Sequence, residues 1–293
     1  MLQAAQMENT SSISSRALLV SVTISQWTAA KRDKAETEAV EAKHGAIRSA
    51  ARVNKSLLPG AKALTDIHRM SGEIRTFVYK STLPWGEGTQ ILRTEGYMGF
   101  SVKLGDMIAS WNKQVLGLVS EYSQLIEDAK LSLGTLFDSN DYPDEDSIRA
   151  KFGIEVKFMP VPEASDWRVS VGEEELDELR RNVEQQVRKS QNAAMREAWD
   201  RLFDVVRHAH ERLSKPDAVF RDSLIENAVE LCDLLPSLNL ADDARLEQMR
   251  REIKDSLCKH APATLRRDTG VRAQAADEMR AAMSKMSAFY PSS

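Results

Sequence analysis

The sequence predicts a mainly α-helical protein in which a long antiparallel, coiled-coil-like helical hairpin carries a small antiparallel β-sheet of about three strands. Glycine (13 residues) and proline (9 residues) are scarce in the 293-residue chain, and aromatic residues make up only 6%. This composition favours long helices over β-sandwiches. Two long segments, Tyr97–Phe137 and Glu173–Leu213, carry apolar residues at steps of three and four, which is the spacing of one buried helix face.

Three shorter segments alternate apolar and polar residues, as half-buried strands do. They are Ala17–Trp27, Ile154–Pro160 and Trp167–Val171. Because each would have one apolar face to cover, a small antiparallel sheet beside the long helices is the expected arrangement.

Helix periodicity and turn-forming residues assign the segments between the first strand and the first long helix. Lys31–Ala51 has high helix propensity and many charges, which indicates a solvated helix. Leu57–Gly60 is a break, and a regular apolar stripe then predicts a helix over Ala61–Lys80. Thr82–Gly88 places Trp85 between proline and glycine, which indicates an irregular turn that presents a large ring.

The acidic stretch Asp138–Asp146 is predicted to be a turn. Three shorter helices are expected after the second long one, separated by Pro236 and Pro262, because proline interrupts a helix. They are Val219–Leu235, Asp242–His260 and Val271–Met286.

The predicted domain organisation has three parts. The polar stretch 1–15 is expected to be a disordered tail. Residues 16–171 are expected to form a mixed α/β N-terminal domain that contains the first long helix. Residues 172–293 are expected to form a helical C-terminal region that continues the same helical body.

Composition favours a globular protein of the cytoplasm. Hydrophobic residues make up 42% and charged residues 29%, values typical of folded domains. Every apolar run is shorter than the roughly 20 residues that cross a bilayer, and the N-terminal stretch lacks the pattern of a signal peptide. The two cysteines, Cys232 and Cys258, are too few for a disulfide framework in a chain of this size.

The motifs of common enzyme classes are missing from the sequence. It has no glycine-rich phosphate loop and no Gly-x-Ser-x-Gly nucleophile turn. His208 and His210 lie two apart on a predicted helix and therefore point to different faces, which does not suit one metal ion. A calcium loop starting at Asp138 would need glycine and glutamate where Pro143 and Arg149 stand. We therefore expect no enzymatic activity, no metal site and no cofactor.

The strongest candidate for a binding surface is basic. From Lys31 to Lys80 the chain has eleven Lys and Arg residues against six Asp and Glu residues. Cations can neutralise phosphates while aromatic rings stack on exposed bases, a combination that suits single-stranded nucleic acid. Alternatively, these cations are the ordinary solvated side of helices and Phe77 belongs to an apolar stripe. The candidate nucleic-acid-binding residues are Arg48, Arg52 and Lys55, at helical spacing on one face, followed by Lys62, Arg69, Arg75, Tyr79, Lys80 and Trp85.

Two further features indicate protein partners. From Asp138 to Arg180 the chain has thirteen acidic residues against five basic ones, so the acidic region Asp138–Glu178 is a plausible docking surface for a basic protein. The apolar stripes of the long helices must be covered along their whole length, either within the chain or by another copy. We therefore also expect a homo-oligomer that associates through the long helices.

The N-terminal half is similar to a phage and mobile-element family known only as domain-of-unknown-function family 3150. The similarity covers about Leu18 to Val171 and rests on these motifs: Ser25-Gln26-Trp27, Leu57-Leu58-Pro59, Thr82-Leu83-Pro84-Trp85-Gly86, Leu136-Phe137, Asp141-Tyr142-Pro143, Phe152-Gly153 and Pro160-Val161-Pro162. The resemblance implies a phage or integrative-element origin, a location in the host cytoplasm, and an association with DNA metabolism or with a ring ATPase. It implies no catalytic residues, because the family has none assigned.

Two functional hypotheses follow. The first is an oligomeric, non-enzymatic protein of DNA metabolism that binds nucleic acid, single-stranded DNA in particular, along the surface Arg48–Trp85. The second is a protein–protein adaptor or structural scaffold, for example a partner of a ring ATPase, that binds no nucleic acid.

Overall fold

A computed structural model describes residues 13–166, 172–215 and 221–289. The chain forms two compact units that are each discontinuous in sequence. Unit 1 comprises the described residues within Met1–Ser21, Val78–Phe100 and Lys157–Ser293, and unit 2 comprises Val22–Phe77 and Ser101–Val156. The division by sequence at residue 171 stays a prediction.

Helices dominate both units, as predicted. In chain order the elements are α1 (Ile13–Arg16), β1 (Ala17–Ser25), β2 (Ala30–Arg32), α2 (Lys34–Lys43), β3 (Asn54–Ser56), α3 (Lys62–Ser81), β4 (Leu83–Gly86), β5 (Thr89–Arg93), α4 (Tyr97–Leu133), α5 (Glu145–Ala150), β6 (Gly153–Pro160), α6 (Glu173–Leu213), α7 (Ser223–Leu238), α8 (Ala244–Cys258), α9 (Pro262–Arg267) and α10 (Thr269–Phe289). Short 3₁₀ turns lie at Thr94–Gly96, Gly134–Leu136, Ser139–Asp141 and Ala164–Asp166.

The small sheet has the strand order β4-β5-β1-β6, and a second sheet pairs β2 with β3. The predicted strands at Ala17–Trp27 and Ile154–Pro160 are confirmed as β1 and β6, whereas Trp167–Val171 lies outside the described residues. The passage Thr82–Gly88 was wrongly predicted to be irregular. It forms an antiparallel hairpin with β5, in which Gly88 takes the left-handed φ of +67° that its tight turn requires.

Unit 1 is built around α6, whose bounds agree with the predicted helix Glu173–Leu213. Its buried face is rich in small residues, among them Ala194, Ala198 and Ala209. Small side chains allow helices to approach closely, and α6 packs against α7, α10 and the strand β4. The long helices α4 and α6 fall mainly in different units, so their pairing with each other stays a prediction.

Pro236 was wrongly predicted to separate two helices, because it lies inside α7 near its C-terminal end. A proline has no N–H to donate to the carbonyl four residues earlier, here that of Cys232. The Arg250 guanidinium donates to this carbonyl at 3.4 Å, which compensates for the missing bond. Pro262 begins α9, a position where proline is well tolerated.

Unit 2 is built around α3 and most of α4, the predicted helices Ala61–Lys80 and Tyr97–Phe137. Its interior contains polar side chains with fixed partners. The fully buried Trp111 donates its indole N–H to the Ser71 hydroxyl at 2.8 Å, and Ser71 donates to the Ile67 carbonyl at 2.9 Å. Trp27 contacts Tyr122 edge to face, with ring centroids 6.2 Å apart.

Other predicted boundaries differ from the structure. The predicted helix Lys31–Ala51 is shorter, since Asp33 caps the start of α2 and Gly45, with φ of +59°, follows its end. The acidic stretch Asp138–Asp146 contains a 3₁₀ turn and the start of α5. Of the predicted N-terminal tail, residues 1–12 lie outside the described residues, whereas Ile13 begins α1 and is buried.

Candidate functional site

The nine candidate nucleic-acid-binding residues are distributed over both units. Arg48, Arg52, Lys55, Lys62, Arg69 and Arg75 belong to unit 2, and Tyr79, Lys80 and Trp85 belong to unit 1.

The helical spacing predicted for the first three candidates is wrong. Arg48 lies in a turn, Arg52 in a loop and Lys55 in the strand β3. The helix ends at Lys43 because Gly45 takes a positive φ of +59°, which a continuing helix does not contain. Ser49, with φ of +77°, lies in the turn that follows.

Lys55 has a structural role. Its ammonium group lies 2.7 Å from a carboxylate oxygen of Asp141 and donates to the Leu136 carbonyl at 2.7 Å. The Lys55 side chain is only 10% exposed and that of Asp141 only 2%. Lys31 also hydrogen bonds Asp141. Burial opposes ionisation of this carboxyl, but the hydrogen bonds from Lys31 and Lys55 outweigh it and hold the pKa of Asp141 below its ordinary value.

Two other candidate cations have carboxylate partners. Arg69 pairs with Asp66 and with Glu73, one helical turn away on either side. Lys80 pairs with Glu230 at 2.8 Å. These exposed pairs contribute little to stability, but each reduces the positive charge available to a phosphate.

The aromatic candidates have partners within unit 1. The Arg201 guanidinium lies over the Tyr79 ring, 4.0 Å from its centroid, and the Tyr79 hydroxyl donates to Glu197 at 2.7 Å. Burial and this hydrogen bond raise the pKa of Tyr79. Trp85 is half-buried and packs against the apolar core. The structure thus places the rings of both residues against protein groups.

Several exposed cations of unit 2 have no ion-pair partner among the described residues, including the candidate Arg75 on α3. Four of them lie close together in sequence: Lys43, Arg48, Arg52 and Lys62. These four fall within residues 42–65, which contain five Lys and Arg residues and no Asp or Glu. We call Lys43–Lys62 the basic segment. Lys43 is not among the predicted candidates, although the gap in acidic residues between Glu41 and Asp66 could have identified it.

The backbone of the basic segment is held by two buried side chains of α2. The Thr37 hydroxyl accepts from the Val53 N–H at 3.1 Å, and the Glu41 carboxylate accepts from the Ala51 N–H at 3.3 Å. Thr37 is 1% exposed and Glu41 is 6% exposed. Arg48 and Arg52 therefore extend from a backbone that these hydrogen bonds hold in place.

The acidic region Asp138–Glu178 carries charges that serve local structure. Asp138 and Asp144 accept hydrogen bonds from backbone N–H groups at the starts of a 3₁₀ turn and of α5, and Asp141 is buried between lysines. Glu173, Glu174 and Glu175 occupy the first turn of α6, where they complement the helix dipole. Residues 167–171 of this region lie outside the described residues.

Within the described ranges, no group of three or more His, Cys, Asp and Glu side chains is arranged to hold a metal ion. No helix in the same ranges is both long and apolar enough to cross a membrane.

Comparison with known proteins found no matching family model, no matching curated protein and no matching solved structure. The resemblance to domain-of-unknown-function family 3150 therefore stays a prediction.

Proposed function

We propose that this chain is a non-enzymatic protein that binds nucleic acid through the basic segment, with single-stranded DNA as the first ligand to test. The acid-free run 42–65 carries the proposal, because its exposed cations have no carboxylate partner in the part of the chain that the structure describes. A phosphate backbone is the natural ligand for such cations, since each neutralised phosphate releases bound counterions.

The ordered backbone supports binding at this segment. Ala51 and Val53 are held by Glu41 and Thr37, so Arg48 and Arg52 extend from a turn that is already formed. Less conformational entropy is lost when a ligand binds a preformed surface.

The contacts proposed at this segment are to phosphates. The two predicted stacking rings, Tyr79 and Trp85, belong to unit 1 and contact Arg201 and the apolar core. Phosphate contacts carry no sequence information. We therefore expect binding that is nearly independent of base sequence and steeply dependent on salt.

Fluorescence polarisation with a labelled single-stranded oligonucleotide and a duplex of the same sequence tests the proposal. The variant Arg48→Gln/Arg52→Gln/Lys62→Gln is expected to bind at least tenfold more weakly at low salt. Its slope of log affinity against log salt should fall by about 2, since each phosphate contact contributes about 0.7–0.9.

A matched control removes three exposed cations of unit 2 that lie outside the basic segment: Arg69→Gln/Lys113→Gln/Lys130→Gln. It has the same net charge as the Arg48/Arg52/Lys62 variant and should bind within about twofold of the wild type. Failure of the wild-type protein to bind either oligonucleotide at low salt refutes the proposal, and equal losses in both variants refute the assignment to the basic segment.

The second candidate is an adaptor or scaffold that associates with protein through α4. Leu116 and Leu131 are 57% and 86% exposed on this helix, and burial of exposed apolar side chains by a protein partner removes them from water. Light scattering measures self-association, and co-purification that nuclease leaves unchanged would favour this candidate. Leu116→Gln/Leu131→Gln should then reduce the measured mass or the captured partner.

A further inference from the structure

A groove of about 650 Å³ runs along the surface of α6 beside Pro84 of β4. The whole groove lies within unit 1. Three cations line it, Arg188, Lys189 and Arg196, together with the side-chain amides of Gln185 and Asn192. These positions recur at steps of three and four, so they share one face of the helix.

The cations of the groove are exposed and have no ion-pair partner among the described residues. Residues 185–196 contain no Asp or Glu. Elsewhere on α6, Arg180 pairs with Asp177 and Arg207 pairs with Asp204 and Glu211, whereas Arg181 and Arg212 are exposed and have no ion-pair partner among the described residues.

Two acidic residues, Glu197 and Asp200, line the C-terminal end of the groove. Glu197 accepts hydrogen bonds from the Tyr79 hydroxyl at 2.7 Å and from Arg201 Nε at 2.9 Å. The negative charge of Glu197 is therefore compensated by Arg201 and Tyr79, and the net charge of the groove is positive.

The arrangement suits an extended anion better than a compact one. Arg188 and Arg196 are separated by about 12 Å along the helix axis, at 1.5 Å per residue. This separation is larger than one phosphate group, so the cations suit successive phosphates of one strand rather than a single phosphate. Amide side chains between cations are common donors to phosphate and sugar oxygens.

We infer that this groove, which we call the α6 groove, is a second binding surface for the phosphodiester backbone of nucleic acid. The inference deepens the proposed function and rests on it. It adds a contact surface in unit 1 that does not depend on the basic segment of unit 2.

The test uses the same oligonucleotides with the full chain. Arg188→Gln/Lys189→Gln/Arg196→Gln is expected to bind at least tenfold more weakly at low salt and to lower the salt slope by about 2. Its circular-dichroism spectrum and thermal midpoint should match the wild type, since the three side chains are exposed and unpaired within the described residues. The charge-conserving variant Arg188→Lys/Arg196→Lys should retain binding within about threefold, because phosphate contact requires charge.

A matched control removes three cations that have carboxylate partners within their own helices: Arg180→Gln/Arg207→Gln/Arg280→Gln. It should bind within about twofold of the wild type. If the wild type binds and the α6-groove variant binds equally well, the inference is wrong while the proposed function stands. If the wild type binds neither oligonucleotide, the proposed function is wrong and the inference is wrong with it.

Discussion

The two units place their charged groups differently. Unit 2 buries a carboxylate, Asp141, between two lysines and fixes its indole and hydroxyl groups inside the core. Unit 1 fills most of its interior with alanine, leucine and methionine, and most of its ion pairs lie near the surface. Its two buried arginines, Arg201 and Arg272, donate to backbone carbonyls. Buried pairs make stability sensitive to the loss of one partner, whereas surface pairs do not.

The difference shows why cations close in sequence can have different roles. Lys55 and Arg52 are three residues apart, yet the Lys55 side chain forms a largely buried ion pair with Asp141 and the Arg52 side chain is exposed. A variant of Lys55 would alter folding, so it cannot report on ligand binding. Substitutions at Arg48 and Arg52 are suited to that purpose.

The largest effect is expected from Asp141→Asn. The substitution leaves the Lys55 ammonium group buried without its nearest counter-charge, and we expect the free energy of unfolding of unit 2 to fall by about 3 kcal/mol. Hydrogen exchange measured on peptides from β2 and β3 reports this unit separately. Lys31→Gln, at the exposed partner, should change the free energy of unfolding of unit 2 by less than about 1 kcal/mol. Equal effects of both variants would contradict a stabilising buried ion pair between Lys55 and Asp141.

A smaller effect is expected from a pair of buried hydroxyls in unit 2. Ser71→Ala removes the acceptor of the Trp111 indole N–H and should cost about 1–3 kcal/mol, because the buried donor is left unpaired. The Tyr122 hydroxyl is buried with no hydrogen-bond partner among the described residues, and burial raises the pKa of Tyr122 to about 12. Tyr122→Phe should therefore be neutral or slightly stabilising. Urea unfolding compares the free energies of unfolding of the two variants. A larger decrease for Tyr122→Phe than for Ser71→Ala would show that the Tyr122 hydroxyl does have a stabilising partner.

The smallest effect concerns a surface cluster of unit 1. Hydrogen bonds from Arg250 and Arg251 lower the pKa of Glu247 from its ordinary 4.5 to about 2. Partial burial of the carboxyl group opposes this shift but is the weaker effect. The ionised carboxylate therefore contributes stability above about pH 4.5, and this contribution is lost as pH falls towards 2.

Glu247→Gln tests that dependence. At neutral pH it should lower the free energy of unfolding by about 0.5–1 kcal/mol, the value of two helix-surface pairs. Thermal midpoints of wild type and variant should converge between pH 4.5 and pH 2. A difference that stays constant over this range would assign the effect to packing.

Long periodic segments were the best predicted part of the fold. The apolar stripes of α3 and α6 recur over many turns, so their helices agree with the prediction within a residue at each end. The hairpin β4–β5 was missed because Pro84 and Gly86 disfavour strands locally. Pairing of β4 with β5, which brings the buried Leu83 opposite Ile91, overrides that local preference.

The candidate site was less predictable, because charge in a sequence does not reveal its partners. Lys55 and Lys80 have carboxylate partners that are 86 and 150 residues away in the chain, and no local pattern indicates them. The α6 groove was not predicted, because only the apolar stripe of its helix was used to predict a surface that binds a partner. The absence of acidic residues over 185–196 was the available signal.

The discontinuity of the units has a consequence for the order of events during synthesis. Every segment of unit 2 has been made once residue 156 is added, whereas the core of unit 1 combines apolar side chains of α1 and β1 with those of α6, α7 and α10. Nascent chains fold as soon as a complete unit leaves the ribosome. Ile13 and Leu19 precede all of unit 2 in the chain but belong to the unit completed later, so we expect their side chains to stay accessible to chaperones until α10 has emerged.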